Sequence, residues 1–269
     1  MPNKTALITG STDGIGRQTA LVLARRGFHV LLHGRSPERG AAALKDLRKS
    51  VPAADMDYLN ADLSSMAEVR QLAEQVRAIT PRLDVLINNA GVAMKQRILT
   101  ADGLETTFAV NHLAPFLLTH LLQDALRASG AGRVITVSSS AHTGGKIEFD
   151  NLQGERSFEG WQAYCDSKLM NVLFTVELAR HLAGSGMTAN CLHPGVIATK
   201  MLRASFPDVT GAGLDEGAQT SVYLADSAEV EGVSGKYFRK MRPADASPLA
   251  DNAALRQRLW QASAQLAGI

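Results

Sequence analysis

Short apolar runs alternate along this chain with longer segments in which apolar residues recur every three or four positions. Runs of β-branched and apolar residues that end at turn signals predict strands at 5–9, 29–33, 56–60, 83–87, 133–137, 187–193 and 235–238. The helical period predicts helices at 15–27, 41–49, 64–79, 107–127, 161–179, 217–224 and 252–267. This alternation predicts an α/β fold. We expect one doubly wound domain, 1–269, with a parallel sheet of about seven strands and helices on both faces.

The composition indicates where the protein is located and which kinds of partner it binds. The 269 residues are 45% hydrophobic, enough for one continuous core, and no linker or repeat divides them. A net charge of +2, with basic residues spread along the chain, gives no sign of nucleic-acid binding. Cys165 and Cys191 fall in a predicted helix and strand, so we expect free thiols. The first strand begins almost at the N-terminus and no long apolar run follows, so we expect a cytoplasmic protein without membrane insertion.

The first predicted strand leads into a glycine-rich turn and then a helix. Gly10, Gly14 and Gly16 punctuate that turn. Glycines there allow close approach of the backbone to a pyrophosphate and close packing of helix on strand, and the helix N-terminus supplies free N–H groups. The loop therefore predicts a dinucleotide site. Taken alone, it could also be an ordinary strand-to-helix turn.

Tyr164 and Lys168 lie four residues apart in a predicted long helix, so both project from one face. A tyrosine hydroxyl with an ordinary pKa near 10 is a poor base at neutral pH. Lowering that pKa to near 7 needs about 4 kcal/mol of preferential stabilisation of the phenolate. A nearby ammonium and an oxidised nicotinamide ring could supply it. The pair thus predicts Tyr164 as general acid/base, with Lys168 lowering its pKa and binding the nicotinamide ribose.

Four motifs occur in order: T-G-x-x-x-G-I-G at 9–16, N-N-A-G at 88–91, V-S-S at 137–139 and Y-x-x-x-K at 164–168. As an ordered set they resemble the short-chain dehydrogenase/reductase family, over about 4–238. The stretches S-S-S-A-H and Y-C-D-S-K-L-M-N-V-L-F resemble the branch containing retinol dehydrogenases and protochlorophyllide reductases. In the implied carbonyl reduction, the cofactor gives hydride to the carbonyl carbon and Tyr164 gives a proton to the carbonyl oxygen. A serine hydroxyl positions that oxygen.

The resemblance also selects a serine and an asparagine. Many family members place the serine closer to the tyrosine, which would nominate Ser157, whereas in the branch named above the second serine of V-S-S aligns with the catalytic one. We therefore expect Ser139 rather than Ser138 or Ser140, with Ser157 as the alternative. Asn111 interrupts an apolar helical run. In the family it sits at a local kink, holding a water that links the lysine to solvent; an exposed asparagine is the alternative.

The residues after the second strand bear on cofactor choice. Folds that prefer NAD place an acid about 20 residues past the glycine loop, where it binds the ribose 2′-hydroxyl. This chain has Gly34, Arg35 and Ser36 in that window. Because an arginine can clamp a phosphate and a serine can add a donor, NADP(H) is predicted over NAD(H). In the alternative, Arg35 caps a surface strand while 36–38 starts the next helix.

Other cofactor contacts follow from the resemblance. Asp62 would contact adenine, although it could equally cap the next helix. The P-G-x-x-x-T element at 194–199 would bind the nicotinamide amide. The predicted cofactor-binding residues are Gly10, Ser11, Asp13, Gly14, Ile15, Gly16, Arg35, Ser36, Asp62, Leu63, Asn89, Ala90, Gly91, Tyr164, Lys168, Val196 and Thr199. We expect no metal, since a lone histidine such as His112 has no visible metal partner.

The segment 200–216 has no clear period and resembles the family's variable lid over substrate. Met94, Met201, Leu202 and Phe206 could line an apolar pocket, although methionines are more often core filler. We therefore predict an NADP(H)-dependent oxidoreductase that interconverts a carbonyl and an alcohol on a moderately lipophilic small molecule. An NAD-linked alcohol dehydrogenase and a dinucleotide sensor without turnover are the alternatives.

The apolar faces of the helices that carry Asn111 and Tyr164 bear on assembly. As in many relatives, they could form a four-helix contact between subunits, which would give a homodimer or homotetramer. They could also simply face the sheet.

Overall fold

The computed structural model describes residues 4–205 and 208–269, whose strands form one eight-stranded sheet. The strands are β1 Thr5–Ile8, β2 His29–Gly34, β3 Met56–Asn60, β4 Val85–Asn88, β5 Arg133–Val137, β6 Thr188–His193, β7 Tyr237–Arg239 and β8 Arg242–Ala244. Their order is β3-β2-β1-β4-β5-β6-β7-β8, and only the pairing of β7 with β8 is antiparallel. The direction of winding reverses between β1 and β4, which opens a crevice at their carboxyl ends.

Helices cover both faces of the sheet. They are α1 Gly14–Arg25, α2 Pro37–Ser50, α3 Met66–Ile79, α4 Thr106–Phe108, α5 Ala114–Leu121, α6 Gln123–Arg127, α7 Gly160–His181, α8 Lys200–Ser205, α9 Leu214–Asp226 and α10 Ala253–Ala267. Side chains alternate along β1, so Leu7 packs with α3, α5 and α7 while Ala6 and Ile8 pack with α1, α2 and α9. The predicted doubly wound α/β fold is therefore confirmed. Within the described ranges, no helix combines the length and apolar content needed to cross a membrane.

Several elements differ from the sequence-based predictions. Ser36 caps α2, which begins at Pro37 rather than at 41. The predicted helix 107–127 is broken into α4, a π-helical segment Ala109–Leu113, α5 and α6. β8 was not predicted because its three residues are all exposed and carry no alternating apolar pattern. Both cysteines are free and buried.

Candidate active site

The loop between β1 and α1 has a conformation that glycines permit. Gly10 and Gly14 have φ of +65° and +57°, and a Cβ on Gly10 would lie 2.9 Å from Ala90 Cα. A Cβ on Gly16 would lie 2.5 Å from the Gly10 carbonyl oxygen, so only glycine lets α1 come this close. Ile15 packs against the first turn of α9. The N-terminus of α1 thus lies at the crevice, pressed against the end of β4.

His33, at the end of β2, holds this loop and was missed by the sequence analysis. The Gly10 N–H donates to His33 Nδ1 at 3.1 Å. The proton must therefore be on Nε2, which lies 3.1 Å from the Ala61 carbonyl oxygen. Burial lowers the pKa of His33 to about 4, so the ring is neutral at physiological pH. A histidine that ends a buried strand beside the glycine loop was the available signal.

Ser11 differs from its prediction as a cofactor contact. It has no exposed surface. Its hydroxyl donates to the Ile8 carbonyl oxygen at 2.8 Å and accepts from the His33 N–H at 2.9 Å. The hydroxyl therefore ties the end of β1 to β2 and does not face the crevice.

Asp13 caps α1 and carries a carboxylate to the helix N-terminus. Its Oδ1 accepts from the Gly14 N–H at 2.8 Å. Its Oδ2 pairs with Lys200 Nζ at 2.6 Å and with Arg39 Nη2 at 3.4 Å. The hydrogen bond from Lys200 holds the pKa of Asp13 below its ordinary value. One acid and two cations leave the group positive, which fits a phosphate-bearing cofactor at this helix end.

Arg35 and Ser36 lie at the same edge of the sheet, directly after β2. Arg35 is exposed. Ser36 Oγ accepts from the Arg39 N–H at 3.2 Å and donates to Glu38 Oε2 at 2.7 Å. Residues 36–38 therefore do start a helix, as the alternative to cofactor binding predicts. An exposed guanidinium still stands beside a helix N-terminus, which suits a 2′-phosphate, but Ser36 would have to exchange partners to bind one.

Asp62 and Leu63 follow β3. Asp62 Oδ1 accepts from the Ser64 N–H at 2.9 Å. α3 is capped instead by Ser65, whose Oγ accepts from the Glu68 N–H at 3.3 Å, so the alternative in which Asp62 caps the helix is wrong. The Leu63 side chain packs in the core below the sheet edge, which leaves its backbone as the group able to meet a cofactor.

The N-N-A-G element after β4 is tied to the end of β1. Asn89 Nδ2 donates to the Thr9 carbonyl oxygen at 2.8 Å. The backbone N–H groups of Asn89 and Ala90 both donate to Thr9 Oγ1, at 3.0 and 3.1 Å. A Cβ on Gly91 would lie 3.4 Å from Lys168 Nζ, so the glycine leaves room for the lysine. These contacts fix the two strand ends that form the crevice.

Asn111 lies in the π-helical segment Ala109–Leu113 and has no exposed surface. Its Oδ1 accepts from the Val92 N–H at 2.7 Å, and its Nδ2 donates to the Val92 carbonyl oxygen at 2.8 Å and to Ser167 Oγ at 3.0 Å. The alternative of an exposed asparagine is therefore wrong. A π turn of this kind is often found at functional sites, and here it orients an amide that holds the loop beside the crevice.

The three serines after β5 point in different directions. Ser138 is buried, and its Oγ donates to the Lys168 carbonyl oxygen at 2.7 Å. Ser140 is exposed and begins a short 3₁₀ turn. The Ser139 side chain lies near enough to the Tyr164 hydroxyl to lower the pKa of that tyrosine, and its Oγ accepts from the Ala141 N–H at 3.2 Å. Of the three, Ser139 is the one brought to the tyrosine.

Ser157, the alternative serine, lies in an exposed loop. Its backbone N–H and carbonyl both bond the Asn151 side chain. It lines a cavity of about 320 Å³ together with Ala163 and Ser167 of α7. Tyr164 is not one of the residues that line this cavity, so the structure does not bring Ser157 to the phenol.

The Tyr164 ring stacks on Trp161, with ring centroids 5.5 Å apart. Desolvation raises the pKa of Tyr164 above its ordinary value of 10, and the nearby Ser139 side chain offsets part of that rise. Lys168 Nζ lies over the ring, 5.5 Å from its centroid, and donates to the Val137 carbonyl oxygen at 3.0 Å. The predicted lowering of the tyrosine pKa is therefore not a property of these side chains alone, because the effect of burial outweighs that of the Ser139 side chain.

Lys168 is itself perturbed. It is 4% exposed, and burial lowers its pKa from 10.5 to about 8. At pH 7 roughly nine-tenths of such a group is protonated. The site therefore holds a positive charge next to a neutral phenol, which is the arrangement that stabilises a phenolate once the proton leaves.

The P-G-x-x-x-T element closes the crevice from the side of β6. Thr199 Oγ1 accepts from the Leu202 N–H at 3.2 Å. Its methyl carbon would lie 3.7 Å from a Cβ placed on Gly14, so Thr199 faces the glycine loop. Val196 is 49% exposed, and its carbonyl oxygen accepts from the Ala212 N–H at 2.8 Å. The predicted cofactor element and the end of the predicted lid are thus joined.

The segment 200–216 is more regular than predicted. α8 takes its first six residues and α9 begins at Leu214. Met201 and Leu202 are half-buried, as is Met94, whose carbonyl oxygen contacts the start of α7 at Gly160. Phe206, the fourth predicted pocket residue, lies outside the described residues.

The outer aromatic face of α5 and α7 is covered by α10. The rings of Phe116 and Phe174 have centroids 4.9 and 6.0 Å from that of Trp260. His112 Nε2 lies 2.8 Å from Ser263 Oγ. The aromatic part of this face is therefore buried within the chain, while other apolar side chains of α5 and α7 pack with the sheet, as the second alternative predicts.

His29, Asp55 and Asp57 come close enough together to hold a cation. His29 Nε2 lies 2.8 Å from Asp57 Oδ2 and 3.8 Å from Asp55 Oδ1. They lie at the amino ends of β2 and β3, opposite the crevice, so they take no part in the arrangement around Tyr164.

Comparison with known proteins finds relatives over the whole chain. The family model described as short chain dehydrogenase matches residues 4–210. The chain is 42% identical over 284 aligned residues to retinol dehydrogenase 13 of Homo sapiens, covering 100% of this chain and 86% of that protein. An uncharacterised protein of Mycobacterium paratuberculosis has a solved structure with TM-score 0.83 and 34% identity, covering 98% of this chain and 93% of that one. A short-chain dehydrogenase of Escherichia coli, solved in complex with NADPH, gives TM-score 0.73 and 25% identity, covering 89% and 97%.

Proposed function

The chain belongs to the short-chain dehydrogenase family, and from this premise we propose that it is an NADP(H)-dependent enzyme with Tyr164 as its general acid/base. Family membership and the retinol dehydrogenase relative make it an NAD(P)-dependent oxidoreductase acting on CH–OH groups. The proposed reaction interconverts a carbonyl and an alcohol on a moderately lipophilic small molecule. The observation that carries the proposal is the buried Lys168 Nζ, 5.5 Å from the centroid of the Tyr164 ring, with the Ser139 side chain near the same phenol.

In the direction of reduction, Tyr164 Oη gives its proton to the carbonyl oxygen, and the Ser139 hydroxyl donates a hydrogen bond to that same oxygen. The Lys168 ammonium stabilises the phenolate that remains, because it lies over the ring in a site that excludes most water. A bound nicotinamide dinucleotide supplies or accepts the hydride. In the oxidative direction the phenolate takes the proton of the alcohol.

Three cations support NADP(H) over NAD(H). Arg35 is exposed at the end of β2, and Arg39 and Lys200 converge on Asp13 at the N-terminus of α1. A 2′-phosphate and a pyrophosphate both gain from this positive balance. Comparing kcat/KM for NADPH with that for NADH tests the preference. A clear preference for NADH would favour the NAD-linked alternative.

A panel of aldehydes, ketones and quinones, followed by NADPH absorbance, tests the activity. Retinaldehyde belongs in the panel because the relative is named a retinol dehydrogenase. We expect turnover with at least one lipophilic carbonyl compound and its loss in Tyr164→Phe. Tight NADPH binding without consumption of any compound would favour the sensor alternative.

Location and assembly are proposals of the same kind. We propose a cytoplasmic enzyme, which cell fractionation tests by recovery in the fraction without membranes. We propose that any homodimer or homotetramer uses a surface other than the face of α5 and α7, because α10 covers that face. Light scattering on the purified chain measures the assembly.

A further inference from the structure

We propose that His142 positions the Ser139 hydroxyl by tethering the Ser139 backbone to the C-terminal segment at Ser247. The inference rests on the proposed function, in which Ser139 hydrogen-bonds the reacting oxygen. His142 does not touch the substrate in this account; it is a positioning residue. Its ring, 1% exposed, joins two parts of the chain about a hundred residues apart.

The hydrogen-bond partners fix the tautomer of the ring. The Ser247 backbone N–H donates to His142 Nε2 at 3.0 Å, so that nitrogen carries no proton. The proton is then on Nδ1, which donates to the Ser139 carbonyl oxygen at 2.6 Å. The same oxygen also accepts from the His142 backbone N–H at 3.1 Å. Both ring nitrogens are used, one for each end of the tether.

The ring is held in this orientation by its surroundings. It packs on Tyr237 of β7, with ring centroids 4.7 Å apart and a tilt of 56°. Burial lowers the pKa of His142, which keeps the ring neutral and Nε2 able to accept. Moving the proton to Nε2 would place an N–H against the Ser247 N–H and an acceptor against the Ser139 carbonyl, and turning the ring over would put ring carbons at both positions. The observed orientation is therefore the one that satisfies both partners.

The far end of the tether is anchored independently. Arg256 of α10 pairs with the buried Glu177 of α7 at 3.2 Å. Arg258 lies 3.9 Å over the ring of Phe149, in the loop that follows the serines. The C-terminal segment is thus fixed to the catalytic helix and to the serine loop. Since the family model ends at residue 210, this anchor comes from outside the matched region.

A fixed Ser139 backbone matters because proton transfer is sensitive to small displacements. Ser139 is the last extended residue before a 3₁₀ turn, so its carbonyl sets the direction in which the chain leaves β5. A displacement of about 1 Å at a reacting group can cost on the order of a hundredfold in rate. Loosening the tether should therefore lower kcat more than it changes the KM for cofactor, because Ser139, His142 and Ser247 are not among the predicted cofactor-binding residues.

Two substitutions at Ser247 isolate the tether without touching the crevice. Ser247 has φ of −54°, which suits proline, and Ser247→Pro removes the N–H that His142 accepts. Ser247→Ala keeps that N–H and removes only the hydroxyl that accepts from the Leu249 N–H at 3.4 Å. We expect Ser247→Pro to lower kcat about tenfold and to raise the solvent deuterium isotope effect on kcat, with the KM for NADPH within about twofold. Ser247→Ala should stay within about twofold of the parent kcat.

The ring itself gives a second test, which applies if Ser247→Pro does not fold. In His142→Asn the amide N–H can replace Nδ1 toward the Ser139 carbonyl, whereas His142→Leu replaces neither nitrogen. We expect Asn to retain more of the parent kcat than Leu. Equal kcat and isotope effects in Ser247→Pro and Ser247→Ala, or in the Asn and Leu variants, would overturn the tether while parent turnover kept the proposed function intact. A parent enzyme without turnover would overturn the proposed function, and the catalytic role of the tether with it.

Discussion

Lys168→Met should make the protein more stable and nearly inactive. The side chain is 4% exposed, and burial lowers the pKa of its ammonium from 10.5 to about 8. At about 1.4 kcal/mol per pH unit, that difference is a destabilisation of about 3 kcal/mol at pH 7. Losing the hydrogen bond to the Val137 carbonyl oxygen offsets about 1 kcal/mol of the gain. We therefore expect the variant to be more stable by about 2 kcal/mol, with kcat lower by about a hundredfold or more.

The stability difference between the parent and Lys168→Met should depend on pH, and the folded and unfolded pKa values of Lys168 set the direction of that dependence. The unfolded chain keeps the lysine proton up to about pH 10.5, whereas the folded protein releases it above about 8. Between those values the unfolded state binds more protons, so the stability of the parent rises with pH. The advantage of Lys168→Met should be fully present below pH 8, and it should be smaller by about 2 kcal/mol, and so essentially lost, at pH 9.5.

Urea unfolding of parent and variant at pH 7 and pH 9.5 measures this difference. Lys49→Met, at a side chain that is 69% exposed, is the matched control and should leave the free energy of unfolding within about 0.5 kcal/mol of the parent at both pH values. A Lys168→Met protein no more stable than the parent at pH 7 would refute the reasoning. An advantage that does not change with pH would refute it as well, because packing rather than charge would then be its source.

Three further predictions concern the cofactor, the loop and the covered face. Arg35→Ala should lower kcat/KM for NADPH about tenfold to a hundredfold and leave NADH almost unchanged, and an unaltered preference in steady-state assays would count against NADP(H). Gly10→Ala should destabilise by about 1–3 kcal/mol in urea unfolding, because φ is +65° and its Cβ would lie 2.9 Å from Ala90 Cα; a neutral effect would contradict the packing. Trp260→Ser should cost about 3 kcal/mol and promote self-association in sedimentation runs, since it uncovers Phe116. A Trp260→Ser variant that is destabilised but does not self-associate would show that the uncovered face of α5 and α7 does not promote association.

The buried strands were the elements of this fold that the sequence predicted most accurately. β1, β2 and β5 are continuous apolar runs because helices cover both faces of a parallel sheet, and all three were located within a residue of their observed ends. β8 was missed because Arg242–Ala244 is exposed at the sheet edge. The position of α10 was also beyond reach: its period indicates an apolar face but not that Trp260 would meet Phe116 and Phe174.

At the candidate site, the sequence indicated the chemistry of neighbouring residues. It did not indicate which residues distant in the chain they would meet. The spacing of Tyr164 and Lys168 gave their shared face, but the pKa of the tyrosine depends on its desolvation, which no spacing reports. His33 and His142 escaped notice for a similar reason. Each acts through backbone groups brought near by folding, and Ser247, the partner of His142, is remote in the chain.

Tyr164→Phe, compared with the parent in rapid-mixing kinetics with NADPH and the best carbonyl substrate of the panel, tests the central claim most directly. Tyr223→Phe, at a half-buried tyrosine whose hydroxyl bonds Glu229, is the matched control. The account predicts that Tyr164→Phe binds NADPH within about twofold of the parent while hydride transfer slows by about a hundredfold or more, with Tyr223→Phe unchanged. A Tyr164→Phe enzyme that reduces the substrate at the parent rate would contradict the account.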